Sequence, residues 1–152
     1  MSASRRRAAA VLALSSAITV LLSFTPLHVC AGDFQVVSRI GGICKAVAVQ
    51  GHYAYVGQGG ELAILDLTNP ENPVQVGSVQ CAGTIASIAV NNGYAYVADY
   101  GVGMRIIDAR NPAAPVAVGF YDSPGYALDV AASGNLAFLS DGISGLEILA
   151  AC

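Results

Sequence analysis

His52 is the only histidine beyond residue 31, so that part of a single chain cannot assemble a histidine-based triad or a zinc site with several His ligands. It stands beside a Gln50-Gly51 pair and reads as a turn residue. The acids are more regular. Asp99 and Asp141 fall at equivalent places in a repeating pattern, and Asp66 and Asp108 share another. Acids recurring once per unit can ring one face and hold Ca²⁺, which needs about six to eight oxygen ligands. Yet no Asp-x-Asp-x-Asp loop is present. An Asp beside Gly, or ahead of Asn-Pro, accepts backbone N–H bonds and pins a turn. The expectation is therefore turn pinning and no metal site, with Asp99 and Asp141 as the candidates should a metal bind.

Other chemistry fails on the residues it needs. Gly101-Val-Gly103 has neither the third glycine nor the following helix of a dinucleotide site. Ser140-Asp141-Gly142 has no base nearby in sequence. The acids follow the repeat and do not cluster, so no carboxylate pair for acid–base work can be assigned. No catalytic residue and no cofactor are expected. Tyr53/Tyr55 and Tyr94/Tyr96 each put two rings on one face of a strand, as packing residues would. Tyr100 and Tyr126 lie instead in glycine-flanked loops, where binding residues concentrate. Together with Asp129, an acid in an otherwise apolar strand that would face a central channel, they are the binding-face candidates.

These residues are positioned by an internal repeat. Tyr53-Ala-Tyr-Val56 recurs as Tyr94-Ala-Tyr-Val97 and Leu136-Ala-Phe-Leu139. Leu62-Ala-Ile-Leu-Asp66 recurs as Met104-Arg-Ile-Ile-Asp108 and Leu146-Glu-Ile-Leu149. Asn69-Pro70-Glu-Asn-Pro73 and Val74-Gln-Val-Gly77 recur as Asn111-Pro112-Ala-Ala-Pro115 and Val116-Ala-Val-Gly119. The offset stays at 41 to 42 residues throughout. Each unit reads as four short strands with period-2 alternation; in the middle unit these are 86–91, 94–99, 104–109 and 116–122. Asn92-Gly93 suits a tight hairpin, with Gln50-Gly51 and Ser133-Gly134 in the matching turns. The Asn-Pro-x-x-Pro segment fixes φ at both prolines and removes two donors, so it is a rigid crossing to the outermost strand. Gly77 and Gly119, recurring within that strand, are expected to mark a bulge or a close backbone approach.

Four strands per 42 residues in tandem is a propeller blade. The fold class is all-β, a partial β-propeller with four-stranded antiparallel blades near 45–80, 86–122 and 127–152. At the Tyr-Ala-Tyr-Val-Ala-Asp and Ile-Ile-Asp-x-x-Asn-Pro-x-x-Pro stretches the chain resembles the LVIVD-repeat family of exported bacterial and archaeal proteins. That resemblance implies a β-propeller used as an extracellular module, and it carries over no catalytic residue.

Ahead of the repeats, Arg5, Arg6 and Arg7 precede an apolar run at residues 8–24, then Pro26 and a small residue, Ala31. This is the order of a secretory signal, expected at 1–31, which places the remainder at 32–152 in a secreted, periplasmic or cell-surface setting. Beyond residue 31 the chain keeps four basic residues against ten acidic ones, a net charge of −6. Phosphate neutralisation needs the opposite sign, so nucleic acid is excluded as a partner class, and an anionic membrane surface with it. Of Cys44, Cys81 and Cys152, the first two lie early in consecutive repeats and form the disulfide candidate; two buried thiols are the alternative.

Closed propellers usually have about four to eight blades. With about three, this chain fits a piece of a longer protein, a twofold partner closing six blades, or a compact monomer. Residues 34–40 match an outermost strand, and the last unit lacks one; the N-terminal strand then closes the final blade in its own chain or in a homodimer. The function expected is a non-catalytic exported scaffold for a protein or glycan partner. The alternative is a fragment of a longer propeller enzyme or multidomain surface protein whose active residues lie elsewhere.

Overall fold

The computed structural model describes residues 35–150. The expected leader at 1–31, Phe34 and Cys152 lie outside the described residues. Alternating small and aliphatic residues between tight turns produce three antiparallel sheets. Blade 1 comprises β1 (Ala46–Gln50), β2 (Tyr53–Gln58), β3 (Glu61–Asp66) and β4 (Val74–Gln80). Blade 2 comprises β5 (Thr84–Asn91), β6 (Tyr94–Tyr100), β7 (Gly103–Asp108) and β8 (Val116–Tyr121). Blade 3 has β9 (Asp129–Ser133), β10 (Leu136–Ser140) and β11 (Leu146–Ala150), with one 3₁₀ turn, Gly142–Ser144, between the last two. Strands follow one another in space as in sequence, and β1, β5 and β9 are neighbours at the inner ends of the sheets. The fold is all-β, a partial β-propeller.

The turns follow from local chemistry. Asn92 (φ 51°) and Gly93 (φ 77°) both take positive φ, as a two-residue hairpin of this twist requires. The matching turns sit one residue later than the sequence suggests. Gln50 pairs with Tyr53 and Ser133 with Leu136, which leaves Gly51-His52 and Gly134-Asn135 as the turn residues. In the crossings, the Asn69 carbonyl accepts from Asn72 N–H and the Asn111 carbonyl from Ala114 N–H, at 3.0 Å each. Each closes a β-turn with Pro at its second position, where the fixed φ of proline is favourable.

Middle strands are covered on both faces, which is why Ala54, Tyr55, Val56 and Gly57 are consecutively buried. Tyr55, Leu62 and Ile64 of blade 1 pack on Ile85, Val97 and Ile107 of blade 2. Tyr96, Ala98 and Met104 repeat the contact against Val130, Ala137 and Leu139 of blade 3. Full burial of a Leu or Ile contributes about 1.5–3 kcal/mol, so these interfaces dominate stability. Side-chain amides latch neighbouring blades at the inner ends. Gln50 Oε1 accepts from Gly93 N–H (3.1 Å), and one repeat later Asn91 Nδ2 donates to the Gly134 carbonyl (2.8 Å).

The outer strands bulge where the sequence suggests. The register shifts between Ile64 and Leu65, opposite Val76, and between Ile106 and Ile107, opposite Val118. The two glycines beside these bulges differ, however. A Cβ at Gly77 would overlap the Pro112 carbonyl oxygen of the next blade, whereas one at Gly119 would meet only the Ile106 side chain, at 3.2 Å. Close approach therefore holds for Gly77 alone.

Residues 35–40 form no strand here, and Val36 and Val37 are exposed. A strand persists only against a hydrogen-bonding neighbour, and the described residues offer this segment none. Among the described residues, the outer edge of β11 carries no fourth strand.

Candidate functional site

The two tyrosines expected in loops, 26 positions apart in sequence, meet in space, although Tyr100 is the last residue of strand β6 and only Tyr126 lies in a loop. The rings of Tyr100 and Tyr126 stack with centroids 5.1 Å apart and planes at 20°. Each remains about half exposed, at 48% and 52%. Tyr100 closes β6 of blade 2 and Tyr126 precedes β9 of blade 3, so the pair spans a blade junction. Gly142, at the start of the 3₁₀ turn, lies against Tyr126, and Leu128, two residues on, is also exposed. A stacked, solvent-facing ring pair offers an apolar platform edged by two hydroxyls, suited to a sugar ring or an apolar side chain.

Two buried acids hold the backbone beneath this platform. Asp99 is fully buried and accepts from Gly83 N–H (2.7 Å), Ala82 N–H (3.0 Å) and Arg105 Nε (2.9 Å). Asp141, equally buried, accepts from Gly125 N–H (2.7 Å) and the Ser123 hydroxyl (2.6 Å). Asp99 is the penultimate residue of β6 and Asp141 directly follows β10, and each grips the connection leading into its blade's first strand. The gripped residue must be glycine. A Cβ on Gly83 would lie 2.6 Å from Asp99 Oδ1, and one on Gly125 would lie 2.8 Å from Asp141 Oδ2. Because Tyr126 directly follows Gly125, the Asp141 clamp fixes its backbone.

The carboxylate oxygens of Asp99 and Asp141 are thus engaged by protein donors, and the amides they hold lie 16 or 17 positions earlier in the chain, not in the acids' own turns; among the described residues no three potential ligands converge on a cation site. Asp66 and Asp108 also act locally. Asp66 Oδ1 accepts from Thr68 N–H and its hydroxyl, and Asp108 pairs with Arg110. Hydrogen bonds from Thr68 hold the Asp66 carboxyl below the usual carboxylate range, and those from Arg110 do the same for Asp108. Asp129 is exposed at the start of β9, with Oδ1 accepting from the Ser87 hydroxyl of the neighbouring inner strand at 2.5 Å. It pairs with Ser140, the residue before Asp141, and is turned to the inner strand β5.

The cysteine pairing is corrected. Cys44 and Cys81 are both free thiols. Cys44 is exposed ahead of β1, its Sγ turned toward the Ala46 carbonyl along its own chain (3.6 Å), while Cys81 packs against the core between blades 1 and 2. Burial, with the Asp99 charge adding to it, pushes the Cys81 thiol up to about 11.

The LVIVD repeat family model matches the chain three times, over residues 41–81, 82–123 and 124–149. The chain belongs to the LVIVD-repeat family. Each match begins in the connection leading into a blade's first strand, which in blades 2 and 3 is the one the clamp grips, and ends at or near the close of a sheet, so one LVIVD repeat corresponds to one blade. No curated protein matches the chain.

Sequence reasoning missed the partners of the clamp: Gly83, Gly125, Ser123 and Arg105. A signal was present. The gripped glycine precedes its acid by 16 residues in both blades. In blade 1 the same spacing runs from Gly42 to Gln58, an uncharged residue at the clamp position.

Proposed function

We propose that this LVIVD-repeat protein is an exported, non-catalytic scaffold that docks a glycan or protein partner on the loop face carrying Tyr100 and Tyr126. The observation that carries the reading is the stacked tyrosine pair, half exposed on a backbone gripped from below by buried Asp99 and Asp141. Preformed aromatic surface binds with little ordering cost, because two rings already held in place lose few rotamers on contact. The acids near this face serve structure, which supports binding over catalysis. The basic, apolar, small-residue order of the first 31 residues supports export, and the acidic balance beyond it disfavours nucleic acid and anionic membranes.

The test is a glycan array, with surface-displayed extracellular proteins beside it, probed with the exported chain and a Tyr100→Ala/Tyr126→Ala double variant. Binding that the variant loses, while its circular dichroism stays unchanged, supports the reading. Binding retained by the variant, or no binding on either panel, contradicts it. The intact mass of the exported product tests the leader: loss of residues 1–31 is expected, and a product retaining them contradicts it.

A further inference from the structure

We propose that Asn92 is a self-modification site, losing its side-chain nitrogen as ammonia by cyclisation onto the Gly93 nitrogen, and that Gln50 of blade 1 gates the reaction. The sequence selects the position. The cyclisation uses the backbone nitrogen of the following residue as nucleophile and needs room for a five-membered ring. Asn69, Asn72 and Asn111 each precede proline, which has no N–H to lose. Asn91 precedes Asn92 and Asn135 precedes Leu136, whose side chains crowd the attacking nitrogen. Asn92 alone precedes glycine, where no Cβ stands in the way. The fold makes the same choice. Asn92 is exposed at the tip of the β5–β6 hairpin, whereas the Asn91 amide nitrogen is tied to the Gly134 carbonyl of blade 3 (2.8 Å).

The chemistry needs water and nothing else. The deprotonated Gly93 nitrogen attacks Asn92 Cγ; a new N–Cγ bond forms, the Cγ–Nδ2 bond breaks, and Nδ2 leaves as ammonia with the proton that Gly93 gave up. Water then opens the ring. Its attack at Cγ leaves aspartate at position 92, and its attack at the main-chain carbonyl leaves isoaspartate, with the chain running through the side chain. The gate is the latch between blades 1 and 2. In this turn, with Asn92 at φ 51° and Gly93 at φ 77°, the Gly93 N–H donates to Gln50 Oε1 (3.1 Å). The Gly93 carbonyl is held as well, by Ala109 N–H (2.9 Å). The nitrogen cannot swing onto Cγ while it serves the Gln50 oxygen, so opening of the latch precedes attack. The product acts in reverse. Isoaspartate adds a carbon to the main chain of a turn that sets Asn91 opposite Tyr94, so neither that pairing nor the latch keeps its geometry. Modification therefore loosens the fastening that restrained it.

The test is peptide mass mapping of the purified protein, with an isoaspartate assay, during incubation in mildly alkaline buffer. Wild type, Gln50→Ala and Gln50→Glu are compared, with guanidinium-unfolded wild type beside them and circular dichroism to establish that the native samples are folded. The unfolded chain should react fastest, and at Asn92 before any other asparagine. Folded Gln50→Ala should convert Asn92 about threefold to tenfold faster than folded wild type, the range that loss of one neutral hydrogen bond implies. Gln50→Glu retains an acceptor for the Gly93 N–H and should stay at or below the wild-type rate, which tests the gate even where Gln50→Ala does not fold. Equal rates for folded wild type and folded Gln50→Ala, a Gln50→Glu rate raised severalfold, or first modification at another asparagine would overturn the proposal.

Discussion

Replacing Asp99 with Asn should destabilise the protein far more than the same change at Asp141, although the two acids occupy equivalent positions. Asp99 receives three N–H donors, from Ala82, Gly83 and Arg105, none of which can reverse its polarity. An Asn there keeps one acceptor oxygen and turns an NH₂ group toward at least one of those donors. The loss comprises a charge-assisted bond, about 1.5–3 kcal/mol, and a buried N–H left unserved, about 1–3 kcal/mol. Arg105 is 22% exposed and recovers part of its share from water, so about 2–4 kcal/mol in total is expected. At Asp141 one of the two donors is the Ser123 hydroxyl, which can rotate and accept from the new NH₂ group while the remaining oxygen serves Gly125. About 1 kcal/mol is expected there. Urea melts of both variants, read as midpoint shifts at constant slope, measure the difference. Equal losses, or a loss at Asp99 below about 0.5 kcal/mol, would refute the clamp reasoning.

The outer-strand glycines should separate: Gly77→Val forces the blade 2 crossing at Pro112 away from the outer strand of blade 1 and costs about 3 kcal/mol or more, whereas Gly119→Val displaces only the Ile106 side chain and costs about 1 kcal/mol or less on the same melts. Exposed Cys44 should react with a thiol reagent at mildly alkaline pH at the rate of a free thiol, while Cys81 reacts only on unfolding, since its thiol is pushed up to about 11. Comparable rates would contradict its burial. Asp66 and Asp108 have folded-state carboxyls below their unfolded range, so their contribution is present above about pH 4 and disappears as pH falls through the lowered values. Asp108→Asn should therefore flatten the acid limb of the stability curve, and an unchanged limb would contradict the pairing with Arg110. Gln50→Ala should free the Gly93 amide from its latch, seen as faster hydrogen exchange at that residue alone.

Strands and blades were legible because two periods coincide in the sequence, alternation along each strand and the recurrence of Tyr-Ala-Tyr-Val after 41 residues and of Asn-Pro-x-x-Pro after 42. The acids were legible in kind, since Asp beside a turn has one common use. Their targets were not: Gly83 and Gly125 lie across a whole hairpin, and only the folded register brings them to the carboxylates. The Tyr100–Tyr126 stack was named as two separate residues, because it forms between blades and no local pattern records a neighbour 26 positions away. Cys44 and Cys81 were misread for a related reason. Both stand near repeat boundaries, yet one precedes the inner strand of blade 1 in solvent and the other follows its outer strand into the core. Gly77 and Gly119 share a motif and a bulge, but only Gly77 has a prolyl crossing packed on it.

The most direct test of the account is amide hydrogen exchange at Gly83 and Gly125 in the purified protein. If buried Asp99 and Asp141 grip these connections and so prebuild the tyrosine face, both amides will exchange as slowly as the neighbouring strand amides, although they lie in loops. Exchange at the rate of unprotected loop residues would contradict the clamps, and with them the preformed face on which the functional proposal stands.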